Sequence, residues 1–414
     1  MKIVLSTIGK FHTFDLAREL YARGHELTVF TGYPRFKLRG EQLPQASIRT
    51  FPWLQVPYVG IGSRCGFDWN FMREFGHWNL ETFGQHVSRN IPECDVYSGL
   101  SSSAGDAGRI VKARGGRYVC DRGSSHVRIQ DEIVAHEHDI WGWPVKRMDP
   151  RIVAREEREY AQADMVTVPS SFSYRSFIQA GLPAAKLRLI PYGVNLGRFQ
   201  KVADPDPSSF DVLFVGGVNL RKGVPYLLQA FSRLLHRNKR LMIVGHCDPS
   251  MMRWLRKRGL LTDHDAVTFT GAMPQPELKN VMSRSHVLVL PSVEEGFGLV
   301  MAEAMACGCP VIATCNTGGE DLFTNAVEGF TVPIRDVDVL VARMQALADD
   351  PSLQQRMSAA ALARVRCLGG WSTYGERVAG LMEELVTRSV RAMHAGRPVP
   401  NLPGASHEHA DCQG

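Results

Sequence analysis

No apolar run in this 414-residue sequence approaches the ~18 residues a membrane-spanning helix needs, and the opening MKIVLSTIGKF has too short an apolar core for a signal peptide. The expected location is therefore the cytoplasm, with at most a peripheral contact on the cytoplasmic face of a membrane. Cysteine is scarce. The nine present are an odd number without regular spacing, set in apolar segments such as RYVCD and AMACGCPVIATC, which argues for reduced buried thiols rather than a disulfide framework. Cys307 and Cys309 form a C-x-C with Cys315 nearby, but no second pair or His follows at zinc-finger spacing, so no metal site is expected there. A dense basic stripe is also missing: a net charge of +6 is modest for this length, and nucleic acid is not an expected partner. Near the first strand, TIGKFHTF lacks G-x-G-x-x-G, which argues against an NAD enzyme.

What the sequence does have is a repeated alternation of short apolar runs with helix-length segments. KIVLS reads as a strand, TFDLARELYARG as an amphipathic helix closed by Gly24, and ELTVFT as the next strand. DVYSG, a helix through AGRIVKARG, RYVCD, DMVTVPS and LRLIPYG complete a first α/β half. FQKVADPDPSSF, rich in Pro, Asp and Ser, reads as a linker. DVLFVGG then opens a second series through VPYLLQAFSRLLHR, LMIVG, AVTFTG, HVLVLPS and PVIAT. Strands separated by helix-length sequence imply parallel sheets covered on both faces. The expectation is α/β: two doubly wound Rossmann-like parallel-sheet domains facing a central cleft, where the carboxyl ends of both sheets meet and ligands bind. The boundaries expected are 1–198 for the first domain, 199–210 for the linker, 211–371 for the second domain, 372–395 for a helix returning to the first domain, and 396–414 for a disordered tail.

The motifs fall at strand ends, and EEGFGLVMAEAMACGCPV, Glu294 to Val311, is the most informative. HVLVLPS before it is a buried strand, and a helix is expected from near Gly298 or Leu299 to Gly308. Its start offers free N–H groups and the positive end of a dipole, a phosphate site. Glu295 precedes the helix and Glu303 lies within it; eight helical residues span roughly 12 Å. A surface Glu ordinarily faces water, but these two stand among Gly, Phe, Leu, Val, Met and Ala. Two carboxylates bracketing a helix start suit a nucleotide-sugar, with ribose hydroxyls at one end, diphosphate in the middle and hexose hydroxyls at the other.

PSVEEGFGLVMAEAMACGCPVIAT closely resembles the E-x7-E donor motif of glycosyltransferase family 4, the retaining enzymes of the two-lobed GT-B fold. LIPYGVNLGRF, VLFVGGVNLRKGVPYLLQAF and VTFTGAMPQPEL resemble that family's pre-hinge strand, phosphate-binding segment and base-binding loop. The resemblance is strong from about Ala161 to Trp371 and looser before. It implies that Glu303 binds the ribose and Glu295 the transferred hexose, that Gly298, Leu299 and Val300 present N–H groups to diphosphate or sugar, and that Lys222, with Arg221 beside it, neutralises the diphosphate. Cations and dipoles aimed at the departing diphosphate leave no need for a metal or other cofactor, and each such donor is worth roughly 3–4 kcal/mol. DPD, DHD and DVD at Asp204, Asp263 and Asp336 read as surface acids. Relatives often have Gly-Arg where this chain has Gly216-Gly217, and Arg221 is expected to supply the charge, since a cation at a helix N-terminus otherwise opposes the dipole.

The first half must hold the acceptor. Where relatives often place His-Gly, this chain reads CDRGSSHVR: Asp121 or His126 is expected to contact the sugar and Arg122 to hold an anionic group, with His126 the candidate catalytic-side histidine, weighed against a structural role. Gly9 is expected to bring backbone to the cleft, with His12 following. The aromatic segment Phe51–Trp78 reads as an acceptor wall, a lipid-facing patch or ordinary packing. HEHD at His136 puts its two His on opposite sides of a helix and is not expected to bind metal. The function expected is metal-independent, retaining transfer of a hexose from a nucleotide-diphosphate sugar to an acceptor hydroxyl on a glycan, lipid-linked sugar or small molecule. The alternatives are a catalytically degenerate nucleotide-sugar binder and a GT-B-type epimerase or phosphorylase.

Overall fold

The computed structural model of the chain describes residues 1–62, 69–145, 147–262 and 266–395. Asp263, part of the aromatic segment (63–68) and the tail from 396 lie outside them. Seven strands, β1 (Lys2–Thr7), β2 (Glu26–Thr31), β3 (Ile48–Thr50), β4 (Val96–Leu100), β5 (Arg117–Asp121), β6 (Met165–Val168) and β7 (Leu187–Leu189), form one sheet. Their order is β3-β2-β1-β4-β5-β6-β7, with every pairing parallel. Six more, β8 (Phe210–Val215), β9 (Lys239–Val244), β10 (Val267–Gly271), β11 (Val287–Leu290), β12 (Val311–Thr314) and β13 (Gly329–Val332), form a second parallel sheet ordered β10-β9-β8-β11-β12-β13. Sequence periodicity left out β3 and β13; IRT and GFTV are edge strands too short to show a period of their own.

Burial follows the pleat. In β1, Ile3 and Leu5 join Leu16, Leu20 and the carboxyl-terminal helix on one face, while Val4 joins Phe30, Tyr97 and Tyr118 on the other. A strand apolar on both faces has no solvent side, so each sheet is covered twice by helices.

Core membership crosses the chain boundaries between lobes. Trp371–Ala395 is one helix whose Tyr374, Val378, Leu381 and Met382 complete the first lobe's core. In the other direction, the helix Val127–Trp141 follows β5, yet its last residue belongs to the second core. Trp141 is 9% exposed. Its ring packs edge-on to Tyr226 at 5.3 Å and to Trp254 at 5.7 Å. On the same helix, buried Glu137 accepts from Trp141 Nε1 at 2.8 Å and pairs with Arg335 of the second lobe at 2.7 Å. The expected linker is anchored at both ends by buried Phe199 and Phe210, each 2% exposed.

Candidate active site

The carboxyl ends of β1, β5 and β11 meet across a cleft of about 690 Å³ lined from one lobe by His12, Arg122 and Tyr192 and from the other by Glu295, Phe297 and Leu299. On the second-lobe side, β11 ends at Leu290 and the chain loops through Pro291–Phe297 into the helix Leu299–Ala306. Gly298 caps that helix at φ 82°, a left-handed conformation that favours glycine, and a Cβ there would lie 2.8 Å from Leu290 Cδ2. Leu299 and Val300 stand in the first turn, where N–H groups have no intrahelical acceptor. Leu299 lines the cleft, whereas the Val300 side chain packs on the second core.

Lys222 and Arg221 precede the helix Val224–Arg233, whose cap Gly223 has φ 68° and no room for a Cβ against the Pro291 carbonyl. Lys222 Nζ pairs with the Glu295 carboxylate, and Arg221 Nη1 stands 3.8 Å from it. Glu295 is thus held between two cations beside a helix start. Gly216 serves packing at the ends of β8 and β9: its N–H bonds the Val244 carbonyl at 2.9 Å, and its own carbonyl lies 2.0 Å from where a Cβ on Gly245 would sit. Glu303 is half-buried, with no partner among the described residues, and burial pushes its carboxyl up to about 7.

On the first-lobe side, His12 Nε2 meets Asp121 Oδ2 at 2.5 Å, and Thr167 Oγ1 donates to Asp121 Oδ1 at 2.9 Å. The imidazole packs against the Tyr192 ring with centroids 4.2 Å apart and the planes tilted by 32°. The Gly9 carbonyl accepts from Thr31 Oγ1 at 3.0 Å, and its neighbours Ile8 and Lys10 line the cleft.

Two first-lobe expectations need correction. Arg122 borders the cleft, but its guanidinium is committed within the lobe: Nε donates to the Ser125 carbonyl at 3.0 Å, Nη2 to Gln130 at 2.7 Å, and Nη1 pairs with Glu156 at 2.7 Å. It holds no spare donor fork for an anionic group. His126 is a structural cap: its Nδ1 accepts from Arg128 N at 3.3 Å at the start of the helix Val127–Trp141. Its ring is buried against Tyr160 and Phe177, and burial lowers it to about 4. The histidine in the cleft is His12, more than 100 residues earlier by the 109-residue separation from Asp121. Glu294, beside Glu295, is a functional candidate that no local pattern marks: a fully buried carboxylate bonded to both lobes. Its one signal was a second acid in an apolar loop. Asp204 pairs with Lys201 and Asp336 caps the helix Val337–Asp349, while His136 is exposed.

The pair of histidines can be separated by mutation. Replacing His126 with Ala is expected to cost about 1 kcal/mol of stability through the lost cap and leave turnover within threefold. His12→Ala is expected to lower turnover by ~10²-fold, the scale of losing one preorganised hydrogen bond at the reacting centre; the reverse pattern in kcat would return the catalytic-side role to His126.

Residues 10–193 match the model of a glycosyl transferase 4-like domain and residues 198–364 that of glycosyl transferases group 1. Among curated relatives, glycogen synthase of Mycobacterium tuberculosis is 29% identical over 279 residues, 65% of this chain, and the chain covers 64% of that protein's length. D-inositol 3-phosphate glycosyltransferase of Kribbella flavida is 25% identical over 384 residues, 86% of each chain. Sucrose-phosphate synthase of Thermosynechococcus elongatus superposes with a TM-score of 0.72 at 24% identity, covering 94% of this chain and 100% of that one. HepE of Anabaena, solved with UDP and glucose, superposes at 0.67 and 18% identity over 93% of this chain and 100% of that one; these two likenesses establish the fold. Two facing parallel-sheet lobes, each matched by its own family model, make this chain a member of the family 4 type GT-B glycosyltransferases.

Proposed function

We propose that the protein is a retaining glycosyltransferase that moves a hexose from a nucleotide-diphosphate sugar to an acceptor hydroxyl without a metal. The observation that carries this is the pairing of Lys222 and Arg221 with Glu295 at the start of the helix Leu299–Ala306, across a cleft from His12 and Asp121. The glycosyltransferase names of the relatives and the UDP and glucose held by HepE support a nucleotide-sugar donor.

In this mechanism the donor's phosphates displace the Glu295 carboxylate from Lys222, and Glu295 turns to the hexose hydroxyls. The bond from C1 to the diphosphate oxygen breaks, its electron pair stays on that oxygen, and Lys222, Arg221 and the first-turn N–H groups stabilise the charge. The acceptor oxygen bonds C1 on the same face, and its proton passes to the departing phosphate oxygen. His12, oriented by Asp121, hydrogen-bonds the sugar from the other lobe, and closure excludes water. The acceptor is a glycan, a lipid-linked sugar or a small molecule. Trp53, Phe71 and Trp78, 74%, 49% and 59% exposed on the first lobe, suit a sugar face or a peripheral membrane contact. No described helix is long and apolar enough to cross a membrane.

The test is a thermal-shift panel with UDP, GDP, ADP and their hexose conjugates, with and without EDTA. A ligand at 100 times its dissociation constant stabilises the fold by about 2.7 kcal/mol. Stabilisation by one series, unchanged by EDTA, is expected; none by any series rejects the donor assignment.

Glu303 makes a second, opposed pair of expectations. Its carboxyl is raised from 4.5 to about 7 in the fold, so ionising it penalises the folded state. The penalty is absent below the unfolded value and complete above the folded one. Glu303→Gln should therefore stabilise the ligand-free protein at pH 8, by about 1–2 kcal/mol after allowing for solvent screening of a half-buried group, and change little at pH 4. The same variant should weaken nucleotide binding and flatten its dependence on pH, because the ionised wild-type carboxylate accepts ribose hydroxyls in charge-assisted bonds that are lost when it is protonated. Titration calorimetry between pH 5.5 and 8.5 reads the second effect; equal loss for both proteins at low pH excludes Glu303 from the site.

A further inference from the structure

Glu294 is 0% exposed, and its two carboxylate oxygens are filled from both lobes. Oε1 accepts from Ser124 Oγ and Ser125 Oγ, each at 2.7 Å, and from Ser125 N at 3.3 Å. Oε2 accepts from Gln130 Nε2 at 3.1 Å and from Arg221 Nη1 at 3.0 Å. Arg221 Nη1 also donates to the Glu294 carbonyl at 3.0 Å and stands 3.8 Å from the Glu295 carboxylate. Burial alone would raise the Glu294 carboxyl, but Arg221 and the serine hydroxyls outweigh it and hold the group below the usual range, so it is an anion at neutral pH. The same loop touches the first lobe two residues on. A Cβ on Gly296 would lie 1.9 Å from the Gly123 carbonyl oxygen, and the Gly296 carbonyl accepts from Ser170 Oγ at 2.5 Å and Ser173 Oγ at 3.2 Å.

An anion so enclosed is stable only with its full set of donors; losing part of the set leaves an uncompensated buried charge. Three of those donor residues, Ser124, Ser125 and Gln130, belong to the first lobe, and the fourth, Arg221, is a donor-site cation of the second. Arg221 is held by the Glu294 carboxylate and carbonyl of its own lobe, and the orientation of that carboxylate is set by the three first-lobe donors.

We propose that Glu294 is a positioning residue that ties closure of the two lobes to the placement of Arg221 beside Glu295. This rests on the donor assignment of Arg221, Lys222 and Glu295 above. In the closed form, Ser124, Ser125 and Gln130 orient the carboxylate, and the carboxylate fixes Arg221 where the diphosphate departs. With the lobes apart, Glu294 loses the three first-lobe donors that orient it, so the carboxylate and the Arg221 side chain paired with it turn together in water rather than standing fixed beside Glu295. The cation needed for departure is then assembled only when the acceptor-bearing lobe is docked.

The interface supplies its own control. Ser171 N and Oγ donate to Asp321 of the second lobe at 2.8 and 2.6 Å, the same bonding of serine backbone and hydroxyl to a carboxylate, but Asp321 does not bond Arg221. The measurement is hexose release from UDP-glucose and GDP-mannose with water as acceptor, in the full-length wild type, Ser125→Ala and Ser171→Ala, alongside nucleoside diphosphate affinity and thermal midpoint. Ser125→Ala is expected to lower kcat about tenfold while KM and the dissociation constant of UDP or GDP stay within twofold; Ser171→Ala, with a similar change in midpoint, is expected to keep kcat within twofold. An unchanged kcat in Ser125→Ala, or an equal fall in both variants, overturns the proposal, because the serine would then act only through interface stability. A wild type that binds neither nucleotide and releases no hexose overturns the donor assignment and the coupling with it, and that outcome is read before either variant is made.

Discussion

Lys222→Ala is expected to lower kcat for hexose transfer or donor hydrolysis by 10²- to 10³-fold, the range found when one preorganised donor to a developing charge is removed. Lys222 Nζ pairs with Glu295, and both side chains are about 15% exposed, at 15% and 16%. A cation kept this dry acts through a low effective dielectric and needs little reorganisation as the diphosphate leaves. The negative charge on that group grows between ground state and transition state, so the loss should fall on kcat more than on KM. Glu295→Ala should likewise reduce turnover with less effect on nucleotide affinity, since that carboxylate is assigned to the hexose. A Lys222→Ala enzyme whose KM alone rises would make Lys222 a ground-state binding residue and remove the central element of the mechanism.

Trp141→Ala is expected to destabilise the protein by about 3–5 kcal/mol, the usual cost of removing a buried aromatic side chain. The residue ends a first-lobe helix but is part of the second lobe's core, against Tyr226 and Trp254. Its loss opens a cavity and takes the Nε1 donor from buried Glu137, which would keep Arg335 as its partner. Trp53→Ala, at a residue 74% exposed, should stay within about 0.5 kcal/mol. Urea unfolding of the three proteins reads the difference. A cost below about 1 kcal/mol for Trp141→Ala would mean that the lobes do not hold this contact in solution.

The two outcomes concern different kinds of residue, and the difference decides what was legible in advance. Lys222 and Glu295 sit in segments whose glycines, strand and helix start make a local pattern, so a ligand site could be read around them. Trp141 and Glu294 carry no such pattern. Nothing in HDIWGW says that a tryptophan will enter a core built mainly from residues after Phe199, and nothing in VEEG separates the glutamate that faces the cleft from the one that joins the lobes. His126 follows a strand in sequence yet caps a helix, whereas the bond of His12 to Asp121 depends on β1 and β5 lying on either side of β4 in one sheet.

The sequence by itself determined the alternation of strands and helices, the division into two parallel-sheet halves, and the glycine-bearing loop that leads into the helix Leu299–Ala306. Each depends on periodicity, turn chemistry or helix capping within a few residues of chain. Tertiary structure alone decided which carboxylate is buried between the lobes, which histidine reaches the cleft, that Arg122 is committed to Glu156, and which core receives Trp141. Those outcomes rest on partners far apart along the chain, 169 residues for Ser125 and Glu294 and 198 for Glu137 and Arg335. A charged or aromatic side chain takes its role from the donors, acceptors and voids that folding brings to it, and those are settled by packing rather than by its neighbours in sequence.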